Sequence, residues 1–302
     1  MSSRKMRKII CDGIRDKAEN VLDYKSDDLY SDKSRYHFKV LDNNYVVPMV
    51  GHTRDAFNKG SGQEFRKMHA VYSSSAMSFN IFGNGPVEIG KKAALPAGKY
   101  ALQYEKKLPV LKNGGTANID VCLTKGDTVI FFEMKMIEWL FWQHKGLAQA
   151  YWDEARYYQK EISPAVKSVA ESIKKKPMSQ AGYYHCKYKY FDAFQILKHI
   201  IGIYNGVVNP KELVGVKKIK LVAGYWTVPE DIHKKMPDDV RNEYDKAAKA
   251  MKDELEDFQW RISALVECFS THKVCFEFYY LTVEEIFGCL TNDNAKSMKR
   301  YI

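Results

Sequence analysis

Between residues 114 and 138 the chain reads GGTANIDVCLTKGDTVIFFEMKMIE, two runs of alternating side chains separated by Gly126-Asp127. The alternation, interrupted by a favoured two-residue turn, predicts an antiparallel hairpin. Lys125 then pairs with Thr128, Asp120 lies across from Glu133, and Asn118 lies across from Lys135. Ile119, Val121, Leu123, Ile130, Phe132, Met134 and Met136 fall on one face of the sheet. Asp120, Glu133 and Lys135 fall on the other, which Cys122, Val129 and Phe131 continue toward the turn. Both faces are therefore apolar over most of their length. The hairpin belongs inside a sheet, with two carboxylates and an ammonium gathered at one end.

The same reading places the other elements. A basic amphipathic helix is predicted over 3–22, where Ile10, Ile14, Ala18 and Val21 recur at helical spacing. Residues 23–35 are polar and read as a loop. A second helix is predicted over 62–83, ended by Gly83-Asn84-Gly85-Pro86. Residues 99–110 read as a strand preceding the hairpin. A helix is predicted over 144–162 through Leu147, Tyr151, Ala155 and Tyr158, and another over 190–205 through Tyr190, Phe194, Leu197, Ile201 and Tyr204. Asp192, Gln195 and His199 fall on the opposite side of that second helix, where a polar stripe is ordinarily the wet face. A core strand is predicted over 216–227, a loop between Pro229 and Pro237, a long helix over 238–268, and a last strand over 273–281. The final helix, 282–290, has Thr282 as N-cap and Glu285 completing a capping box. The fold class is α/β: a mixed central sheet flanked by helices.

The charges on the hairpin carry the chemistry. Burying three ionised groups is costly unless they pair or bind an ion. Cross-strand neighbours are about 5 Å apart, so two carboxylates there repel each other. A divalent cation relieves this, and hard oxygen ligands suit Mg²⁺ or Mn²⁺, with water and a substrate phosphate completing the shell. Lys135 beside them would orient a water or stabilise charge building on a phosphate. The chemistry implied is metal-assisted phosphodiester hydrolysis. The plainer account is a structural salt bridge from Lys135 to Glu133 or Asp120.

Asp120, a twelve-residue gap and then Glu133-Met134-Lys135 resembles the PD-(D/E)XK nuclease superfamily, the restriction-endonuclease-like fold. The residue before Asp120 is Ile119 where Pro is common. SSSAMSFNIFG at 73–83, ALQYEKKL at 101–108, EMKMIE at 133–138, FDAFQILKHIIGI at 191–203 and YLTVEEIFG at 280–288 are similar to one group of restriction endonucleases within it. The resemblance implies a restriction-endonuclease-like core with a helical insertion. It also implies metal ligation by Asp120, Glu133 and the backbone carbonyl of Met134, and products with 5′-phosphate and 3′-hydroxyl ends. Glu105, on the strand that pairs with the hairpin in this fold, would either add a third carboxylate or form a surface ion pair with Lys106 or Lys107. Gln149 falls where some relatives place a substrate-touching Gln, although Asp153 breaks the Gln-h-x-x-Y spacing. Gln195 and His199 gain a contact role from the resemblance. Glu138 would either support Lys135 or serve as a helix-start acid.

Composition narrows the partners. The formal net charge is +10, which suits a polyanion. Residues 171–190, ESIKKKPMSQAGYYHCKYKY, mix cations with aromatic rings. Lys174, Lys175, Lys176, Lys187 and Lys189 are candidate phosphate contacts. Tyr183, Tyr184, Tyr188 and Tyr190 are candidates to stack on bases. The alternative for the lysine run is a solvated loop. No run of eighteen apolar residues exists, and the basic start MSSRKMRKIICDG lacks the apolar stretch of a secretion signal. Six scattered cysteines without a C-x-x-C spacing signal neither zinc nor a disulfide framework, and fit reduced thiols in the cytoplasm.

The reading is one elaborated nuclease domain over 1–302. It comprises a helical extension (1–60), a core helix with the active hairpin (61–144), a basic helical insertion (145–212), and the remaining core strands and helices (213–302). The expected function is a Mg²⁺-dependent endonuclease of restriction type acting on double-stranded DNA, with a methyltransferase as partner gene and a homodimer as one open assembly. Repair, recombination or RNA nucleases on the same fold, and a nucleic-acid-binding module with a vestigial site, are the alternatives.

Overall fold

The computed structural model describes residues 2–22, 29–59, 64–91, 93–141, 146–175, 179, 182–209, 212–292 and 294–302. These build an α/β architecture around a six-stranded mixed sheet of order β1-β2-β3-β4-β7-β8. The strands are β1 (Val87–Ile89), β2 (Gly98–Pro109), β3 (Thr116–Lys125), β4 (Thr128–Lys135), β7 (Lys218–Tyr225) and β8 (Cys275–Thr282). A separate two-residue pair joins β5 (Leu147–Ala148) to β6 (Tyr183–Tyr184). β1 to β4 run antiparallel to their neighbours, whereas β4, β7 and β8 are parallel. β4 is central and its residues are buried up to Met134. A strand covered on both faces reads as a nearly continuous apolar run, as VIFF does here.

Helices α1 (Ser2–Leu22), α2 (Gly51–Lys59), α3 (Glu64–Met68) and α4 (Ser74–Phe82) precede the sheet, and α5 (Glu138–Phe141) follows β4. The long crossover to β7 contains α6 (Ser163–Ile173) and α7 (Ala193–Val208). The crossover to β8 contains α8 (Glu230–His233), α9 (Asp238–Arg261) and α10 (Ser263–Ser270); α11 (Val283–Cys289) and α12 (Ala295–Tyr301) end the chain. Phe82 packs 4.9 Å from Phe132, centroid to centroid, which puts α4 on the apolar face of the hairpin. α7 seats on β2 and β3 through Gly202, where a Cβ would lie only 2.9 Å from that of Ala117. No described helix is long and apolar enough to cross a membrane, and the six cysteines are free thiols.

Several sequence expectations change. The helix expected over 62–83 is two helices; residues 62 and 63 lie outside the described set. Ala70 bridges to His37 in the gap, and the Ser73 side chain caps the new start by accepting from Ala76 N. A capping hydroxyl competes with continuous helix at that point. The helix expected over 144–162 is absent over its described part, 146–162, which forms β5 and three 3₁₀ turns. Asp153 accepts from Ala155 N in a local turn, and Tyr157, not Tyr158, is the buried ring, its hydroxyl donating to Tyr151 O. Among its described residues, the insertion at 145–212 is thus α-helical only in α6 and α7. The helix expected over 238–268 breaks at Ile262 into α9 and α10. The capping box at Thr282 and Glu285 is present as expected.

Candidate active site

The hairpin register is the expected one from Lys125–Thr128 to Val121–Phe132, and the ladder then stops. Asp120 ends it. Its Oδ2, rather than a backbone carbonyl, accepts the Met134 N–H at 2.7 Å. Asn118 does not face Lys135 in the ladder but pairs with Lys107 of β2. On that side the register is the same at Tyr104–Val121 and at Lys106–Ile119, and the one pair the ladder lacks lies between them, which leaves Glu105 across from Asp120. Glu105 has φ of 55°, a left-handed conformation that costs a non-glycine residue of order 1–3 kcal/mol inside a strand. Its buried carboxylate accepts from Asn118 Nδ2. Lys106, the ion-pair alternative for Glu105, reaches Glu212 instead. Three carboxylates, Glu105, Asp120 and Glu133, therefore stand in a row across β2, β3 and β4.

The row opens into a cavity of about 840 Å³ at the C-terminal ends of β4 and β7. Crevices at the carboxyl ends of parallel strands are the usual ligand sites of open α/β sheets. Lys135 Nζ donates to Glu133 Oε1 at 2.5 Å. His199 Nε2 lies 2.8 Å from Glu133 Oε2, with both side chains buried. Because the acceptor is a carboxylate, Nε2 carries the proton. The stripe of Asp192, Gln195 and His199 is thus not a wet face. All three line the cavity, and Asp192 caps α7 by accepting from Gln195 N. His199 Nδ1 and Asn118 Oδ1 are buried and meet no partner among the described residues.

The electrostatics separate the two central acids. Burial, followed by the charge of Glu133, raises Asp120 well above the ordinary carboxylate range. Burial also works against ionised Glu133, but Lys135 and His199 outweigh it and push Glu133 down to about 2. Burial disfavours charged Lys135, yet Glu133, Asp120 and Glu138 hold its pKa above the usual lysine value. Lys135 is thus an ammonium donor and not a proton acceptor. Its side chain keeps 27% exposure, so its charge reaches the cavity. Glu138 accepts the Met136 N–H at 2.7 Å at the start of α5, the helix-start role, while also lining the cavity.

Apart from Tyr190, which lines the cavity, the remaining described candidates lie outside it. Gln149 is exposed and outside the cavity. Lys174 is not a presented phosphate contact. Its side chain is 8% exposed, paired with Glu171 at 2.5 Å and lying over the rings of Trp152 and Tyr184. Lys175 is exposed, and Lys176 lies outside the described residues. Tyr188 is buried and donates to Asp257, so it cannot stack on a base. Tyr183 is exposed, and Tyr184 is partly covered by Trp152. Lys187 is exposed near Asp257, and exposed Lys189 sits 4.8 Å over the Tyr190 ring at the cavity. Sequence reasoning did not single out Trp139, Tyr225, Arg66 and Lys198, which also line it. Only the pairing of β4 with β7 brings Tyr225 there.

Among the described residues no three His, Cys, Asp or Glu side chains converge at metal-ligating spacing. The donor chemistry nonetheless fits a hard cation. Burial and then the charge of Glu133 both disfavour a second carboxylate at Asp120, which a cation would offset, and backbone carbonyl and water can complete such a shell. No family model, curated protein or solved structure matches the chain.

Proposed function

We propose that the protein is a Mg²⁺-dependent nuclease with a PD-(D/E)XK-type site on a restriction-endonuclease-like core. The observation that carries this reading is the meeting of Asp120, Glu133 and Lys135 in one cavity at the ends of adjacent strands. Asp120 and Glu133 would hold the metal together with the carbonyl of Met134, and Mn²⁺ would serve the same donors. When bound, the ion supplies Lewis-acid activation and neutralises charge on the phosphate. His199 holds Glu133 in place through Oε2. Lys135 Nζ, a fixed ammonium, orients the attacking water or a non-bridging phosphate oxygen. Glu105 shares the row and adds negative charge beside Asp120. The substrate is DNA, drawn by a chain of formal charge +10, and restriction-type cutting of duplex is the form the resemblance implies.

The test is plasmid digestion with Mg²⁺ and with chelator. The expected result is cutting with Mg²⁺, none with chelator and none by Asp120→Asn. Cutting by Asp120→Asn at the wild-type rate would overturn the reading.

A further inference from the structure

Beyond Lys135 the cavity continues onto an aromatic wall. The parallel register of β4 and β7 sets Ala223 across from Glu133 and Tyr225 across from Lys135. Paired residues share a face, so Tyr225 extends the carboxylate face onto the next strand. Tyr190, just before α7, reaches the same cavity. Both tyrosines are half-buried and meet the ring of Trp139 edge-on, at 6.4 Å and 6.2 Å between centroids. Trp139 is buried and fixed from behind, its Nε1 donating to Trp226 O at 2.9 Å. Arg66 and Lys198 add cationic side chains to the lining.

A cavity of about 840 Å³ falls in the small-ligand class of roughly 300–1,000 Å³. It has anchored rings on one side of Lys135 and carboxylates on the other. Aromatic side chains accept any base through its π-face, but only a base out of its stack can reach them. We propose that this cavity receives a single unstacked nucleotide, its base against Tyr225 and Tyr190 and its phosphate over Asp120, Glu133 and Lys135. The inference rests on the nuclease reading and narrows it. The substrate presents an unpaired base at the cut, either in a single strand or flipped out of a duplex.

The experiment measures binding alone, with the full chain and Ca²⁺ in place of Mg²⁺. Three labelled DNAs of one sequence are compared: a single strand, a matched duplex and a duplex with one mismatch. Tighter binding of the single strand than of either duplex supports the inference and assigns the single-stranded source. Tighter binding of the mismatched than of the matched duplex supports it and assigns flipping, because a mismatch lowers the unpairing cost. Tyr225→Leu and Tyr190→Leu should each weaken the preferred complex roughly tenfold, whereas the Phe variants retain it. Equal affinity for all three DNAs, unmoved by the Leu variants, would overturn the inference and leave the nuclease reading standing. Failure of the wild-type chain to bind any of them would overturn both. The comparison among DNAs needs no variant, so misfolding of a Leu variant leaves the test decisive.

Discussion

His199 Nε2 sits 2.8 Å from Glu133 Oε2, while Lys135 Nζ sits 2.5 Å from the other oxygen of the same carboxylate. Glu133 is therefore held at both oxygens by partners from two elements, α7 and its own strand. A buried carboxylate kept ionised needs such partners, because removing one from a buried pair costs about 3–5 kcal/mol.

His199→Leu should therefore act on the metal site through Glu133. The Mg²⁺ concentration for half-maximal cutting should rise about 10- to 100-fold, the usual effect of losing a group that orients a metal ligand. His199→Gln, which retains an N–H donor, should restore part of it. A purely structural histidine would lower the melting temperature without moving the Mg²⁺ requirement, so both are measured on each variant.

Lys135→Ala should lower turnover by roughly two to four powers of ten, with DNA affinity in Ca²⁺ nearly unchanged. Lys135→Arg should not rescue it, because a planar fork does not replace a compact ammonium in a crowded site. If Lys135 only balances Glu133, the Ala variant would melt earlier and still cut normally per folded molecule.

The two central acids respond to pH in opposite senses in the metal-free protein. Glu133 is depressed to about 2, so its stabilisation is present above the unfolded glutamate pKa of about 4.3 and is lost as pH falls toward 2. Asp120 is raised, so its folded form retains a proton the unfolded chain has released. Its contribution is present below about 3.9 and is lost as pH rises toward the folded value. In chelator, Asp120→Asn should remove that second loss and melt higher than wild type near neutral pH. Mg²⁺ should narrow the gap by stabilising the wild type. Identical pH profiles for the two proteins would refute this account of Asp120.

Salt dependence should separate the lysines. Lys175→Ala, Lys187→Ala and Lys189→Ala should each reduce the slope of log affinity against log salt by about 0.7–0.9 wherever the residue touches a phosphate. Lys174→Ala should leave the slope unchanged and lower the melting temperature, because that ammonium is occupied by Glu171 and two aromatic rings. A slope change for Lys174 alone would reverse the assignment.

Local pattern by itself determined the hairpin, its Gly126-Asp127 turn, the shared face of Asp120 and Glu133, the α7 core stripe and the capping box at Thr282. Each depends on period, turn chemistry or spacing within one or two neighbouring elements. The same period misread 144–162, because apolar spacing does not register a side chain such as Asp153 that hydrogen-bonds its own backbone. Three other features were decided only by tertiary structure. Glu105 joins the acids because β2 pairs in register with β3, which leaves it across from Asp120 with a left-handed backbone. His199 is buried because α7 lies over β4 at Glu133, so a stripe that looks wet in one helix faces a cavity. Tyr225 reaches Lys135 because two strands some ninety residues apart run side by side. Periodicity shows which face of an element is polar; what that face meets depends on packing between segments distant in the chain.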